Sequence, residues 1–303
     1  MIRALKILFT GGTGTLGREL LPVLLEHYSV ICVGRNKPEL EHPNLEYKYF
    51  NFYEDKELDI SSKVDIILHV AGLASGEGKD KDEYLKINAN SVNVLLKLQE
   101  TNKIKKFIYA SSTSVYGSEQ RPYYEIDHLN GKTDYAISKI QGEMNLVQSG
   151  LPFLILRLSS IYGKNGKSYI NKLLNLAEKR VIPFPNYGKT TRSFVYIKDA
   201  VACISIAIRK DLFGIYNLCH PQPVTFYELA NTIHYYFPKT FKFPIPRFIY
   251  KLDKLFSKLM NRTPKLKPLF ESSIINSNKI MKDLSYQFKF SFQKGFKDIL
   301  DNS

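Results

Sequence analysis

The chain has 303 residues, 44% of them hydrophobic and 24% charged, a balance that supports one large core or two unequal lobes and excludes a disordered or collagen-like chain. Its net charge of +14 is uneven, because fourteen Lys/Arg against five Asp/Glu from Lys239 onward leave a surplus of nine in the tail. Cys32, Cys203 and Cys219 lie in apolar stretches without CxxC or His-rich spacing, which argues against a disulfide framework and against a metal site.

The opening MIRALKILFTGG carries an apolar run too short for a membrane span and has no signal-peptide cleavage site, so it reads as the start of a cytoplasmic protein. ALKILFT (4–10) is a strand-like run that enters TGGTGTLG (10–17) and then the helical pattern GRELLPVLLEH. Gly11 and Gly12 permit a tight turn, Gly14 lets the backbone approach a pyrophosphate, and Gly17 lets the helix pack on the strand, while the helix start offers unpaired N–H groups to the anion. This arrangement predicts a dinucleotide cradle. The second strand, SVICVG (29–34), ends in Gly34-Arg35-Asn36. An acidic residue there would bond the ribose of NAD, whereas an arginine accepts the 2′-phosphate of NADP, so Arg35 and Asn36 favour NADP(H) over NAD(H). A solvated arginine, or one stacked on adenine, is the alternative.

LEYKYFNF (45–52), VDIILHVA (64–71), KKFIYASS (105–112) and LPFLILRLS (151–159) continue the strands, with DEYLKINANSVNVLLKLQE and AISKIQGEMNLVQSG as helices between them. The alternation predicts an α/β, Rossmann-type doubly wound parallel sheet that reads as complete at residue 159. Residues 1–163 are expected to form the NAD(P)-binding domain. Residues 164–303, punctuated by PFP, HPQP and FPIPRF, are expected to form mainly a smaller, interleaved substrate-binding lobe, with some segments returning to the sheet. In PRFIYKLDKLFSKLMNR (246–262), Phe248, Ile249, Leu252, Leu255, Phe256, Leu259 and Met260 share one helical face, with Lys251, Lys254, Lys258 and Arg262 largely opposite. The first reading is a helix whose apolar face packs on the smaller lobe, and peripheral contact with an acidic membrane is the alternative. No RNA-binding or helix-turn-helix signature accompanies the basic tail, so nucleic acid is not an expected partner.

Two stretches decide the chemistry. FIYASSTSVYG (107–117) puts hydroxyls at the ligand-binding edge of a parallel strand, and TDYAISK (133–139) puts Tyr135 and Lys139 four residues apart on one helical face. An adjacent ammonium and a cationic nicotinamide favour the phenolate, so Tyr135 can exchange a proton with a substrate alcohol while hydride moves on carbon, with Ser112 holding the oxygen.

TGGTGTLG (10–17), DIILHVAGL (65–73), NANSVNVLL (88–96), YASSTSVYG (109–117), YAISK (135–139), LRLSSIYG (156–163), RSFVYIKD (192–199) and SNKIMKDLSYQFKFSFQKGF (277–296) occur in one order. In this the chain resembles, nearly end to end, the extended short-chain dehydrogenase/reductases of the nucleotide-sugar epimerase/dehydratase type. The resemblance implies that Ser112, Tyr135 and Lys139 are catalytic. It implies that Gly11, Gly14, Thr15, Leu16, Gly17, Asn51, Phe52, Ala71 and Gly72 line the cofactor with Asn88, Tyr135 and Lys139. Arg192 is similar to the arginine that grips the substrate diphosphate, with Thr113 and Ser160 in the substrate pocket, and a homodimer through helices near 84–101 and 135–149 is implied as well.

The departures narrow the reaction. In the 4,6-dehydratases an Asp-Glu pair follows the catalytic Thr, whereas this chain has Thr113 and Ser114 there, which disfavours dehydration. Many 4-epimerases carry Asn where this chain has Ser160 and Asp where it has Ser193. The leading expectation is an NADPH-dependent 4-ketoreductase of a nucleotide-diphosphate sugar in surface-polysaccharide synthesis. A UDP-hexose or UDP-N-acetylhexosamine 4-epimerase is the alternative. Further out lie a hydroxysteroid-type dehydrogenase, disfavoured by Arg192, and a non-catalytic cofactor-binding protein, disfavoured by the intact Ser112, Tyr135 and Lys139.

Overall fold

The computed structural model describes residues 5–78, 80–119, 121–164, 166, 169–260, 264 and 266–301. Arg262, placed on the polar face of the 246–262 helix, and Ala4 of the first strand lie outside the described residues. The first half runs β1 (Lys6–Thr10), α1 (Thr15–Leu25), β2 (Ser29–Gly34), β3 (Leu45–Tyr49), β4 (Ile66–His69), α2 (Lys81–Tyr84), α3 (Asn90–Leu96), β5 (Lys106–Ser112), β6 (Pro122–Tyr123), α4 (Asp134–Gln148), β7 (Phe153–Leu158) and β8 (Ser160–Tyr162). The second half runs α5 (Tyr169–Glu178), β9 (Val181–Pro185), β10 (Thr191–Arg192), β11 (Phe194–Tyr196), α6 (Ile197–Arg209), β12 (Gly214–Leu218), β13 (Val224–Thr225), α7 (Phe226–Tyr236), β14 (Phe241–Ile245), α8 (Arg247–Leu259), α9 (Lys267–Phe270), β15 (Ile274–Ile275), α10 (Asn278–Leu284) and α11 (Phe292–Asp301).

Seven parallel strands form the central sheet in the order β12-β7-β5-β4-β1-β2-β3. The apolar runs of the inner strands are buried on both faces, as helices covering a parallel sheet require, whereas the edge strand β3 has no buried residue. On one face α1 turns Leu16, Leu20, Leu21, Leu24 and Leu25 inward to join Ile7, Phe9 and the α6 residues Ala200, Ile204 and Ala207. On the other, Val92 and Leu95 of α3 and Leu146 of α4 cover Leu8, Ile67, Phe107 and Ile155. The strand order reverses between β1 and β4, so a crevice opens at their carboxyl ends.

Three features depart from the sequence reading. The sheet is not complete at residue 159, because β12, a segment returning to it from the second half as expected there, adds a seventh strand whose Gly214–Leu218 register pairs with Leu154–Leu158 of β7. The single helix expected at 82–100 is α2, a π-helical turn over Leu85–Ala89, α3 and a 3-10 turn over Lys97–Glu100. The wide turn carries Asn88 into the interior, a use typical of π-bulges near functional sites. Finally, α8 does not pack its apolar face: Phe248, Leu252, Leu255, Phe256, Leu259 and Met260 are exposed, and Tyr250 and Ser257 are the buried residues of this helix.

Outside the sheet, short strands pair β9 with β14, β8 with β11, β10 with β13 and β6 with β15. The C-terminal segment is fastened by Asp199 of α6, whose carboxylate accepts the Tyr286 hydroxyl at 2.6 Å and the Lys289 and Phe290 N–H groups at 3.0 and 3.1 Å. No helix among the described residues is long and apolar enough to cross a membrane.

Candidate active site

At the reversal point the chain leaves β1 through Gly11, at φ +85°, where an added Cβ would stand 2.6 Å from the Ala71 nitrogen. The Gly14 N–H closes the turn on the Gly11 carbonyl at 3.0 Å. At Gly17 a Cβ would lie 1.9 Å from that same carbonyl oxygen, so glycine lets α1 approach the loop. Gly14 precedes α1 without any side-chain cap, which leaves the first N–H groups of the helix free for an anion. The resulting cleft of about 590 Å³ is lined on its floor by Gly11, Gly14, Thr15, Leu16 and Gly17. Arg35 and Asn36 line it beyond β2, Asn51 and Phe52 beyond β3, and Ala71 and Gly72 beyond β4. The glycine floor, uncapped helix and volume fit a dinucleotide. Arg18, which follows Gly17 on α1, also lines the cleft, as do Tyr53, Glu77 and Lys164, to which nothing in the glycine motif points because they arrive from other loops.

Behind the cleft wall lies a second layer. An added Cβ at Gly72 would meet Asn88 Oδ1 at 2.8 Å and Lys139 Nζ at 3.3 Å, so glycine at 72 lets the wall rest against both. Asn88 is fully buried. Its Oδ1 accepts the Leu73 N–H at 2.7 Å, and its Nδ2 donates to the Leu73 carbonyl and to Ser138 Oγ. The structure therefore places it behind the cleft as a clamp between the 71–74 loop and α4, and it is not among the lining residues. His69 holds the neighbouring edge, bonded through Nδ1 to Thr10 Oγ1 at 2.6 Å and through Nε2 to Ser91 Oγ at 2.9 Å. Burial, with the Lys139 charge adding to it, pushes this imidazole down to about 3, so it is neutral.

Ser112 ends β5 and starts a 3-10 turn, its Oγ accepting the Ser114 N–H at 3.2 Å. Tyr135 enters from the first turn of α4, which Thr133 caps by accepting the Ala136 N–H, and is hydrogen-bonded to Ser112. The Tyr84 ring stands edge-on to Tyr135 with centroids 6.0 Å apart. Burial is the largest influence on Tyr135 and pushes its phenol up; the Ser112 bond opposes this, and Tyr84 and Glu77 add to it. Burial outweighs the Ser112 bond, and the group is held protonated.

Lys139 is almost fully buried, with Nζ donating to the Ala110 carbonyl at 2.9 Å and lying 4.8 Å from the centroid of the Tyr109 ring. Burial lowers it to about 8, with Glu143 opposing. The ammonium is therefore present below about pH 8 and lost as pH rises through that value. We expect kcat/KM for the cofactor, which reports the free enzyme, to fall above about pH 8; a profile flat through that region in steady-state assays would contradict this. The stability sign is separate: the buried charge costs stability below its folded value, and the cost fades as pH rises from about 8 toward 10.5.

Tyr135, Lys139 and Glu143 form one stripe of α4. Glu143 is buried and takes a bidentate Arg157 from β7, with Nη2–Oε2 at 2.7 Å, and the Ser111 hydroxyl. Arg157 also donates to the Tyr116 hydroxyl and the Glu125 carbonyl. Neither member of this pair stands out in the sequence, because a Glu on a helix and an Arg in a strand carry no local sign of meeting.

The substrate-side residues sit apart from the dinucleotide cleft. Arg192 is half-buried on β10 with Nη1 donating to the Glu271 carbonyl at 3.4 Å. Ser160 is exposed on β8, opposite Phe194 of the strand that follows Arg192. Thr113 is buried directly after Ser112, and Ser193 accepts the Ile275 N–H, fixing β15.

The glycine-floored cleft at the reversal of a parallel sheet defines a dinucleotide-dependent enzyme of Rossmann type. The chain belongs to the NAD dependent epimerase/dehydratase family, whose model matches residues 7–219. It is 31% identical over 270 residues to a dTDP-D-glucose 4,6-dehydratase of Dictyostelium discoideum, covering 75% of this chain and 61% of that protein's length. It is 26% identical over 241 residues to a dTDP-4-dehydrorhamnose reductase of Burkholderia thailandensis, covering 76% and 77%. Its fold is that of UDP-glucuronic acid 4-epimerase from Bacillus cereus, solved in complex with NAD, at a TM-score of 0.80 and 21% identity over 98% of this chain and 99% of the other.

Proposed function

We propose that the chain moves hydride at C4 of a nucleotide-diphosphate sugar, acting as a 4-ketoreductase. The observation that carries this reading is the placement of Ser112 at the ligand edge of β5 beside Tyr135 and Lys139 on one stripe of α4, with burial keeping the Tyr135 phenol protonated. A phenol in that state donates to the oxygen of a carbonyl being reduced. A bound nicotinamide cofactor would supply the hydride. As charge grows on the C4 oxygen, Ser112 holds that oxygen and Tyr135 gives up its proton. Lys139, anchored on the Ala110 carbonyl, then balances the phenolate left behind. Arg192 offers two parallel N–H bonds to the diphosphate. Loss of water would need an acid and a base after Ser112, and Thr113 and Ser114 supply neither.

Arg35, exposed at the lip of the cleft, supports NADP(H), since its guanidinium suits a 2′-phosphate. The solved epimerase holds NAD, and the same Tyr135 and Ser112 would serve a 4-epimerase running the step in both directions. One experiment separates these readings. Purified protein is offered UDP-4-keto-6-deoxy-N-acetylhexosamine with NADPH or NADH, and in parallel UDP-glucose and UDP-N-acetylglucosamine with no added reductant. The expected result is consumption of NADPH matched by a C4 alcohol product. Interconversion at C4 without reductant, and none of the reduction, would replace the ketoreductase by the epimerase.

A further inference from the structure

The orientation of α8 is inverted relative to a helix that packs on a core. Its inward stripe is Tyr250, Asp253 and Ser257. Tyr250 stacks on Phe270 with centroids 5.0 Å apart and bonds Glu271 through its hydroxyl, and Asp253 accepts the Leu266 N–H at 2.8 Å. Polar and aromatic contacts thus hold the helix down. The outward stripe is Phe248, Leu252, Leu255 and Leu259, exposed by 60%, 48%, 56% and 75%, with Phe256 and Met260 beside it. Just before the helix, β14 exposes Phe241 and Phe243 as well.

Charge identifies what covers this face. At 100° per residue, Arg247, Lys251 and Lys258 fall along one border of the apolar stripe, and Lys254, paired with Glu271 at 3.4 Å, falls just beyond them. Asp253, the acidic residue of the helix, is on the inward side. The chain from Lys239 onward has a surplus of nine positive charges. An apolar face bordered by cations is the pattern of a helix lying in the head-group layer of an acidic bilayer. A second copy of the chain would bring the same cations toward one another and is disfavoured by that repulsion.

We propose that α8 is an interfacial anchor whose apolar face enters an anionic lipid surface. The anchor is independent of the reaction assigned above. Its test is co-sedimentation of the full chain with vesicles of phosphatidylcholine alone or mixed with phosphatidylglycerol. The wild type pellets with the anionic vesicles, at least tenfold less in about 0.5 M salt, and stays soluble with the neutral ones. Leu252→Glu/Leu255→Glu/Leu259→Glu abolishes pelleting with no change in thermal melting, because these side chains are already in solvent. Lys251→Ala/Lys258→Ala weakens binding about 25-fold, close to fivefold for each charge removed. The proposal is overturned if the wild type remains in the supernatant with anionic vesicles, or if the triple variant pellets as well as the wild type. It is also overturned if sedimentation equilibrium finds a dimer that the triple variant breaks while vesicles bind neither protein; the occupant is then a second copy.

Discussion

Tyr135→Phe is expected to lower kcat by about 10³-fold while dinucleotide affinity stays nearly unchanged. The substitution removes one oxygen atom and keeps the ring that stands against Tyr84, so the packing at the start of α4 survives. What disappears is the proton that the growing oxyanion must receive and the hydrogen bond to Ser112. The loss therefore belongs in kcat, and in kcat/KM equally, since the interaction is made in the transition state. Single-turnover hydride transfer beside equilibrium cofactor binding checks it. A loss confined to KM would reduce Tyr135 to a residue that positions the sugar.

The second large effect concerns stability. Arg157→Leu leaves the Glu143 carboxylate, side chains being 3% and 4% exposed in the pair, with its cationic partner gone, and is expected to cost about 3–5 kcal/mol. The double variant Arg157→Leu/Glu143→Leu is expected to recover part of that loss, because no lone charge remains in the interior, although the Glu125 carbonyl and the Ser111 hydroxyl still lose partners. Urea unfolding midpoints of the two single variants and the double variant measure the coupling. Equal destabilisation of Arg157→Leu and the double variant would mean that the stranded charge is not the cause. The consequence reaches the chemistry as well, since Glu143 sits two turns from Tyr135 on the same stripe of α4. A helix released from β7 would present its phenol loosely.

What could be read in the sequence was what is local. The strand at 29–34 was recovered to the residue, because a strand buried on both faces is written as an unbroken apolar run. The glycine cleft was legible because the motif is compact and part of its geometry is local, as in the close approach of Gly17 to Gly11. The missing pieces depend on distant partners. β12 follows a long excursion and reads as a modest apolar segment until β7 is beside it. Periodicity found the apolar and basic stripes of α8 but cannot say which face packs; here neither does, and Tyr250, Asp253 and Ser257 face inward. Asn88 was recognisable as near the site, while its role as a clamp depends on Leu73 and Ser138 arriving from other segments. Burial of Tyr135 and Lys139, which shifts each in its own direction, is likewise a property of the assembled fold.

The late return of β12 has a consequence for how the polypeptide can be divided. Since β7 finds its outer neighbour only after the chain has passed through α5, β9–β11 and α6, the two halves are threaded through one another. A fragment stopped at residue 163 would display the bare flank of β7, with unpaired amides beside Leu154, Ile155 and Leu156, and such a flank templates intermolecular strand addition. Truncation there should yield insoluble aggregates, whereas a protease nick in a surface loop of the excursion should leave two pieces that remain associated.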